Sequence, residues 1–585
     1  MVLDPKRLLL RELEAWHQDY NPELRMVRRP FSSPGYHTTL KHTTHTHPTL
    51  AAVMYALALL DSGVEAYVPR ASDILEQVIS LQDQNPANAT FGIWSWFQEE
   101  PLAQMAPPDW NWADFCGKRL VLTEQRHGSL LPADLREKLR HAVFCACDAI
   151  MKRNVGPGYT NIAIMGAFVT LVAGEVYGID RYVHYGLERL RRFREYTHDL
   201  GTFQEYNSPT YTIVAIQELS SIHTSTRLPD AKLWSADMLD VAWRMVAEHY
   251  HFPTGQWSGP HSRSYSTVMT ESVRSFLQMA VGDTLQLQSE SKLVYSLDWY
   301  GNSISCPEAY IASFHHAQVA EHSQVVQRSP EGVAINIATT FKNGQVSLGT
   351  FSRDVMWNQR RNLIAYVPNG DGFSYIHLRF LHDGYDYSSA VYTSRQERTD
   401  VLFGIGFCTD GGDTHIGLDP INGSIEAEDL RLRFEIGGRS EGVEADLLAQ
   451  HGKKSVQVRL PDGITMQTEV LFAAFDGETP RWEISRDADK SCIDYIVYSG
   501  EKKPFDFRSM QRALMVLAFR LYDGSTGKAE SLEASARVVQ AQDDAETANA
   551  DKAAEQVYAR YRTLSGTELD LGLPLKPATK QEMLQ

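Results

Sequence analysis

The sequence is short of positive charge. Lys and Arg number 56 against 73 Asp and Glu, a net charge of −17 over 585 residues. Nucleic acids are held through Lys and Arg on phosphates, so this balance argues against a nucleic-acid partner. A locally basic cleft remains compatible with an acidic sugar. No uninterrupted apolar run approaches the roughly 18 residues that mark a bilayer span, so no membrane association is expected. The start, Met1-Val-Leu-Asp-Pro-Lys-Arg, lacks a signal-peptide apolar core, and the chain as given reads as cytoplasmic. Cysteine is sparse. Cys116, Cys145, Cys147, Cys306, Cys408 and Cys492 are scattered with no CxxC pair, which excludes a disulfide framework. Internal repeats and low-complexity segments are also missing.

What is present is an ordinary globular balance, 43% hydrophobic and 22% charged. The length exceeds what one hydrophobic core fills, so two or three domains are expected. Over residues 1–285 apolar residues recur at helical spacing: Leu50–Leu60, Ile74–Leu81, Leu135–Met151, Ile162–Tyr177, Tyr182–Arg192, Tyr211–Ile222 and Ala231–His249. About ten helices of moderate length joined by short loops suggest helix hairpins set in an (α/α) toroid, an incomplete barrel, and not a compact bundle. Residues 286–530 alternate instead, as in Val333–Ala338, Val346–Phe351, Leu363–Val367, Leu430–Ile436 and Val456–Leu460. Asn343-Gly, Asn369-Gly-Asp-Gly, Asn422-Gly and Asp462-Gly punctuate them. This predicts a large antiparallel β-sandwich. Residues 531–585 read as one exposed helix and a tail.

Five segments carry chemistry. In Gly156-Pro-Gly-Tyr-Thr-Asn161 a turn opens a helix with Asn161 in its first turn, fit either to cap the helix or to offer its amide to a sugar carboxylate. In Asp199–Tyr211, Glu205, Tyr206 and Tyr211 crowd one polar loop, with Ser208 and Pro209 suited to N-cap and N1. Trp257–Tyr265 presents His261, Arg263 and Tyr265 before a helix predicted over Val268–Met279. Trp94, Trp96, Asp109, Trp110, Asn111, Trp112 and Asp114 form either a sugar-stacking wall or a packed helix pair. Ser352–Arg361 brings Asn358, Arg360 and Arg361, and paired arginines suit a carboxylate. The run His37, His42, His45, His47 fits no zinc spacing, so no metal is assigned.

The order and spacing of these segments resemble the heparinase II/III-like and chondroitin AC/hyaluronate-type polysaccharide lyases. There a helix-start Asn precedes a Ser-Pro-x-Tyr segment by about fifty residues, as Asn161 precedes Ser208-Pro-Thr-Tyr211; an Arg segment follows after about fifty more, as Arg263 does here. This sequence departs from the pattern in two places. Tyr206 stands where the chondroitin-type loop carries a His, and no His in the early strands matches the heparinase one. The resemblance implies a toroid before a β-sandwich and β-elimination across a uronic-acid glycan, glucuronate-type favoured, to a 4,5-unsaturated uronate without a cofactor. It implies Asn161 with Arg263 or Arg360/Arg361 on the carboxylate, and Tyr211, paired with Tyr206 or His261, moving protons. Two other functions stay open: a toroid glycoside hydrolase using carboxylates such as Asp109, Asp114 and Glu205, and a non-catalytic glycan-binding protein.

Overall fold

The computed structural model describes residues 4–34, 36–282, 284–450, 453–487, 489–526, 532–540 and 555–585. Its N-terminal half is helical. An opening helix α1 (Pro5–Gln18) precedes α2 (Thr49–Asp61), α3 (Val68–Ser80), α4 (Trp112–His127), α5 (Ala133–Arg153), α6 (Thr160–Tyr177), α7 (Asp180–Leu200), α8 (Tyr211–Ser225) and α9 (Pro229–His249), with α10 (Glu271–Val281) after them. The even-numbered helices α2, α4, α6 and α8 neighbour one another in that order, with the odd-numbered ones outside them. Sequence explains the layering. The inner helices α2 and α6 are apolar or small around most of their circumference and largely buried, whereas α3 and α7 bury one stripe and present charge on the other. The helix α6 is long and apolar enough to cross a membrane by length and composition, which corrects the expectation that no such run exists; 83% of it is buried inside the toroid, the environment its composition fits.

Beyond residue 320 the chain is antiparallel β. One sheet runs Arg353–Val355, Ala390–Glu397, Asp400–Phe407, Ala513–Asp523, Ile464–Phe475, Lys453–Arg459, Glu444–Gln450. The other runs Arg481–Arg486, Ser491–Asp506, Ser424–Gly438, Gly372–His382, Leu363–Asn369, Ser347–Phe351, Ala334–Lys342, Ala320–Arg328. Their facing sides share one core that includes Leu348, Phe380, Tyr392, Phe403, Phe434 and Phe519. The toroid-plus-sandwich architecture is therefore the one expected.

Two boundaries differ. Leu293, Tyr295, Leu297, Trp299, Cys306 and Phe314 join the helical core, so residues 286–314 pack with the toroid and not with the sandwich. Residues 531–585 are not a helix and tail: strands Ala534–Gln540, Glu555–Arg562 and Glu568–Pro574 form a third sheet, and only Lys580–Leu584 is helical among the described residues. The alternation Val557, Ala559, Tyr561 and Leu569, Leu571, Leu573 buries one face of it on Leu402, Leu514 and Val516 of the sandwich, a two-residue period that an acidic composition masked. The acidic stretch 541–554 lies outside the described residues.

The junction between the two halves positions the site. Gly349 packs so closely on the Gly259 carbonyl that it has no room for a Cβ, a Cβ on Gly259 would strike the Ile364 side chain, and Thr340 Oγ1 donates to Gly259 O at 2.6 Å. His261 N–H donates to Arg361 O at 3.3 Å, Arg361 N–H to His261 O at 3.0 Å, and Ser264 N–H to Gln359 O at 2.7 Å. The loop before α10 is thus laid as an extra strand along the sandwich segment 357–361.

Candidate active site

Asn161 lies in the first turn of α6, as expected, and is 2% exposed. Its backbone N–H donates to Glu205 Oε2 at 3.1 Å, so the cap of α6 is Glu205, leaving the Asn161 side chain free; its Oδ1 is buried with no hydrogen-bond partner. A buried amide oxygen without a partner is costly, and a ligand hydrogen bond would relieve it. Burial pushes the Glu205 carboxyl above the usual range, against the opposing pull of Asn161 N–H, Arg263 and Arg360.

Tyr211 is the first residue of α8, two positions later than the Ser-Pro pair suggested. Ser208 still caps, its Oγ accepting from Tyr211 N–H at 2.9 Å. Arg263 Nη2 donates to Tyr211 Oη at 3.0 Å and to Tyr265 Oη at 3.3 Å, and the two phenols share a hydrogen bond of 2.8 Å. Arg263 Nε donates to Gln359 Oε1 at 2.7 Å, and Nη1 stands 3.8 Å from Glu205. The guanidinium also lies 4.6 Å from the Tyr211 ring and 5.1 Å from the Trp357 ring. The positive charge expected to lower Tyr211 is present, yet burial outweighs it and the phenol is held well above its usual range. Tyr211 is therefore a resting proton donor.

Tyr206 and His261 do not belong to this cluster. Tyr206 is 2% exposed within the helical core. Its O–H donates at 2.9 Å to Nε2 of His249, whose Nδ1 donates to Met245 O. His261 is buried, donates from Nδ1 to Asn207 O at 2.6 Å, and is kept neutral by burial, its pKa about 3. Both hold the loops together and neither is placed to move a substrate proton. Between them, Asn207 donates from Nδ2 to Ser258 O and Pro260 O and accepts from Trp257 Nε1.

The Trp segment divides. Trp94 is fully buried, donating to Val78 O, and is core. Trp110 is exposed, donating to Ala89 O. Trp96 and Trp112 lie tilted against each other with centroids 5.1 Å apart; Trp96 Nε1 donates to Asp109 Oδ2 at 3.2 Å, and Trp112 Nε1 is buried without a partner. Asn111 bridges Tyr159 Oη and Arg153. Asp109 is engaged as Trp96's acceptor. Asp114 is wholly buried, packed with Arg189 over Gly166, and its pKa is pushed up to about 7 by burial.

The arginine pair also separates, because neighbours in an extended segment point opposite ways. Arg360 donates to Ser262 O at 2.9 Å and lies 3.4 Å from Asp354. Arg361 is 5% exposed and turns back to donate to Asn358 O and Arg360 O, so it is not a substrate contact. Asn358 donates to Tyr385 Oη at 2.6 Å.

Residues missed in the sequence complete the enclosure. Gln359 and Trp357 support Arg263 from the sandwich. His415, in a sandwich loop, packs on Trp357 at 5.2 Å and on Tyr36 at 5.8 Å. Its Nδ1 accepts from Gly417 N–H at 3.1 Å, and burial lowers its pKa, leaving a neutral ring with its proton on Nε2. His415 sits among Gly, Asp and Thr, a loop signature with no periodicity to flag it. Of the His-rich run, His37 donates to Pro107 O and His47 pairs with Glu99 at 2.5 Å. Among the described residues no group of three or more His, Cys, Asp or Glu is arranged to hold a metal.

Comparisons with known proteins add the following. Residues 18–298, the helical half, match a family described as a domain of unknown function (DUF8769). No curated protein matches the chain. Among solved structures the chain is similar to a heparinase III at 12% identity, covering 93% of this chain and 85% of that one with a TM-score of 0.44. It is similar to the chondroitin AC lyase of Streptomyces coelicolor A3 in complex with chondroitin sulphate at 10% identity, with 99% and 96% covered and a TM-score of 0.43. A heparan sulfate lyase HepC mutant from Pedobacter heparinus gives 11% identity, 98% and 90% coverage and a TM-score of 0.36.

Proposed function

We propose that this protein is a glycan lyase that cleaves a uronic-acid-containing chain by β-elimination. The observation that carries the proposal is one cluster holding both an anion-neutralising set and a proton-transfer pair: Asn161, Glu205 and Arg263 beside Tyr211 and Tyr265.

The C5 proton of a uronate is poorly acidic until its carboxylate is neutralised. The unpartnered Asn161 amide and Arg263 Nη1 suit that task together, and Glu205, whose carboxyl burial raises, joins them whenever it is protonated. Tyr265, exposed to water beside Arg263, gives its own proton to solvent and then takes the C5 proton. The C5–H electron pair becomes the C4–C5 double bond, the C4–O4 bond breaks towards oxygen, and Tyr211 O–H protonates O4. Tyr265 O–H then returns its proton to Tyr211 across their 2.8 Å hydrogen bond, and the site is reset without net proton uptake. Trp96 and Trp112 offer faces for a neighbouring sugar ring, and His415 Nε2–H is a further donor from the sandwich side.

A hydrolase needs two available carboxyl groups flanking the bond. Asp114 is buried against Arg189 and Asp109 is committed to Trp96, which favours elimination. The test is incubation with glucuronate-, iduronate-, mannuronate- and galacturonate-containing glycans while following the ultraviolet absorbance of the unsaturated uronate. Saturated products with new reducing ends, and no absorbance from any substrate, would overturn the proposal.

A further inference from the structure

The His-rich segment takes no part in the proton transfers, yet it is firmly held. Its ends pair as a short ladder, Arg29–Pro30 against His45–Thr46, with Phe31 N–H donating to Thr44 O at 2.8 Å. Thr39 donates from N–H and Oγ1 to Oε1 of buried Glu100, at 2.6 and 2.7 Å. His37 donates from N–H to Ala106 O at 2.9 Å and from Nδ1 to Pro107 O at 2.6 Å, and its ring lies 5.1 Å from Trp96 on the toroid wall. The adjacent Tyr36 reaches the other wall, its ring 5.8 Å from His415 of the sandwich. Its half-buried phenol is pushed up by burial and by Tyr265, Tyr385 and Asp109, and pulled down by Arg263. Two consecutive residues therefore touch both lips of the cleft.

We propose that the Tyr36–His37 strap closes one end of this cleft, so that the site takes the end of an acidic glycan chain, or a short oligosaccharide, and not a chain interior. The inference rests on the lyase reading of the same cleft. A sugar chain running on past this point would have to displace a segment held by several hydrogen bonds together with its ring contacts on both walls.

The test uses the full chain with hyaluronan and unsulfated chondroitin as probes. Product size by gel filtration is followed beside the ultraviolet signal. The expected result is short unsaturated products from the first minutes while the residual polymer keeps its length, and fragments of intermediate length with a Tyr36→Ala/His37→Ala double variant. Intermediate fragments from the wild type, or identical product profiles from both proteins, would overturn the strap's role. If no unsaturated product forms at all, the lyase reading fails. The strap is then judged by binding stoichiometry on polymers of graded length: bound protein per chain constant for the wild type and rising with length for the variant supports it, and the same length dependence for both overturns it.

Discussion

Replacing Asn207 by Ala probes what holds the Tyr211 and Arg263 loops in register. Asn207 is fully buried, has a left-handed backbone at φ 47°, and bridges the two loops through its side chain. Nδ2 donates to Ser258 O at 2.8 Å and to Pro260 O at 2.9 Å, and Oδ1 accepts from Trp257 Nε1 at 2.6 Å. Alanine removes three hydrogen bonds and strands two carbonyls and an indole N–H away from water. Such bonds contribute about 1 kcal/mol each, and a stranded buried group costs roughly 1–3 kcal/mol. A left-handed Ala adds about 1 kcal/mol that Asn tolerates better. The three stranded groups and the left-handed Ala together give an expected loss of roughly 4–10 kcal/mol, comparable with the roughly 5–15 kcal/mol that stabilises a domain. Urea unfolding followed by Trp fluorescence measures it. Asn207→Gly, free of the left-handed penalty, should recover only about 1 kcal/mol of the loss. A loss below about 1 kcal/mol for Asn207→Ala would refute the claim that this side chain locks the loops.

Three further outcomes are expected. Tyr211→Phe should lower kcat by about a hundredfold or more while leaving the thermal midpoint nearly unchanged, since water can reach its partners Arg263 and exposed Tyr265; near-normal turnover would remove Tyr211 from the chemistry. Glu205→Gln should keep an acceptor for Asn161 N–H and a permanent donor for the substrate carboxylate. The kcat/KM profile should then lose the limb on which wild-type activity falls as pH rises through the raised Glu205 pKa, and an unchanged profile would exclude a protonated Glu205. Asp114 has a folded pKa of about 7, against 3.8 for the ordinary group. Its folded state therefore holds the extra proton between those values, and stability is lost as pH rises through that window. Asp114→Asn should gain on the wild type by a few kcal/mol between about pH 4 and 8 in chemical denaturation, and a pH-independent difference would contradict this.

The architecture was legible because it follows from local pattern. A 3.6-residue period gave way to a two-residue one, and Asn-Gly and Asp-Gly turns lay where Asn422, Gly423, Asp462 and Gly463 adopt positive φ. The fifty-residue rhythm linking Asn161, Tyr211 and Arg263 was equally readable: Asn161 and Tyr211 open α6 and α8, and Arg263 lies in the Gly/Pro-marked loop before α10. The third sheet was lost beneath an acidic composition, and residues 286–314 were assigned by position when their apolar side chains pack on α10.

The toroid, the sandwich and the polar, aromatic-rich segments around the helix starts thus follow from sequence pattern alone. Direction belonged to the tertiary structure. It turned Trp94, Tyr206, His261 and Arg361 inward while leaving Trp96, Tyr211, Arg263 and Tyr265 on the cleft, although residues of both kinds share the same short segments. It also brought Tyr36, His415, Trp357 and Gln359 to that cleft from distant parts of the chain. Spacing along a chain reports which element a residue belongs to. Which face it occupies, and what comes to meet it, is decided by the packing of loops that carry no period of their own.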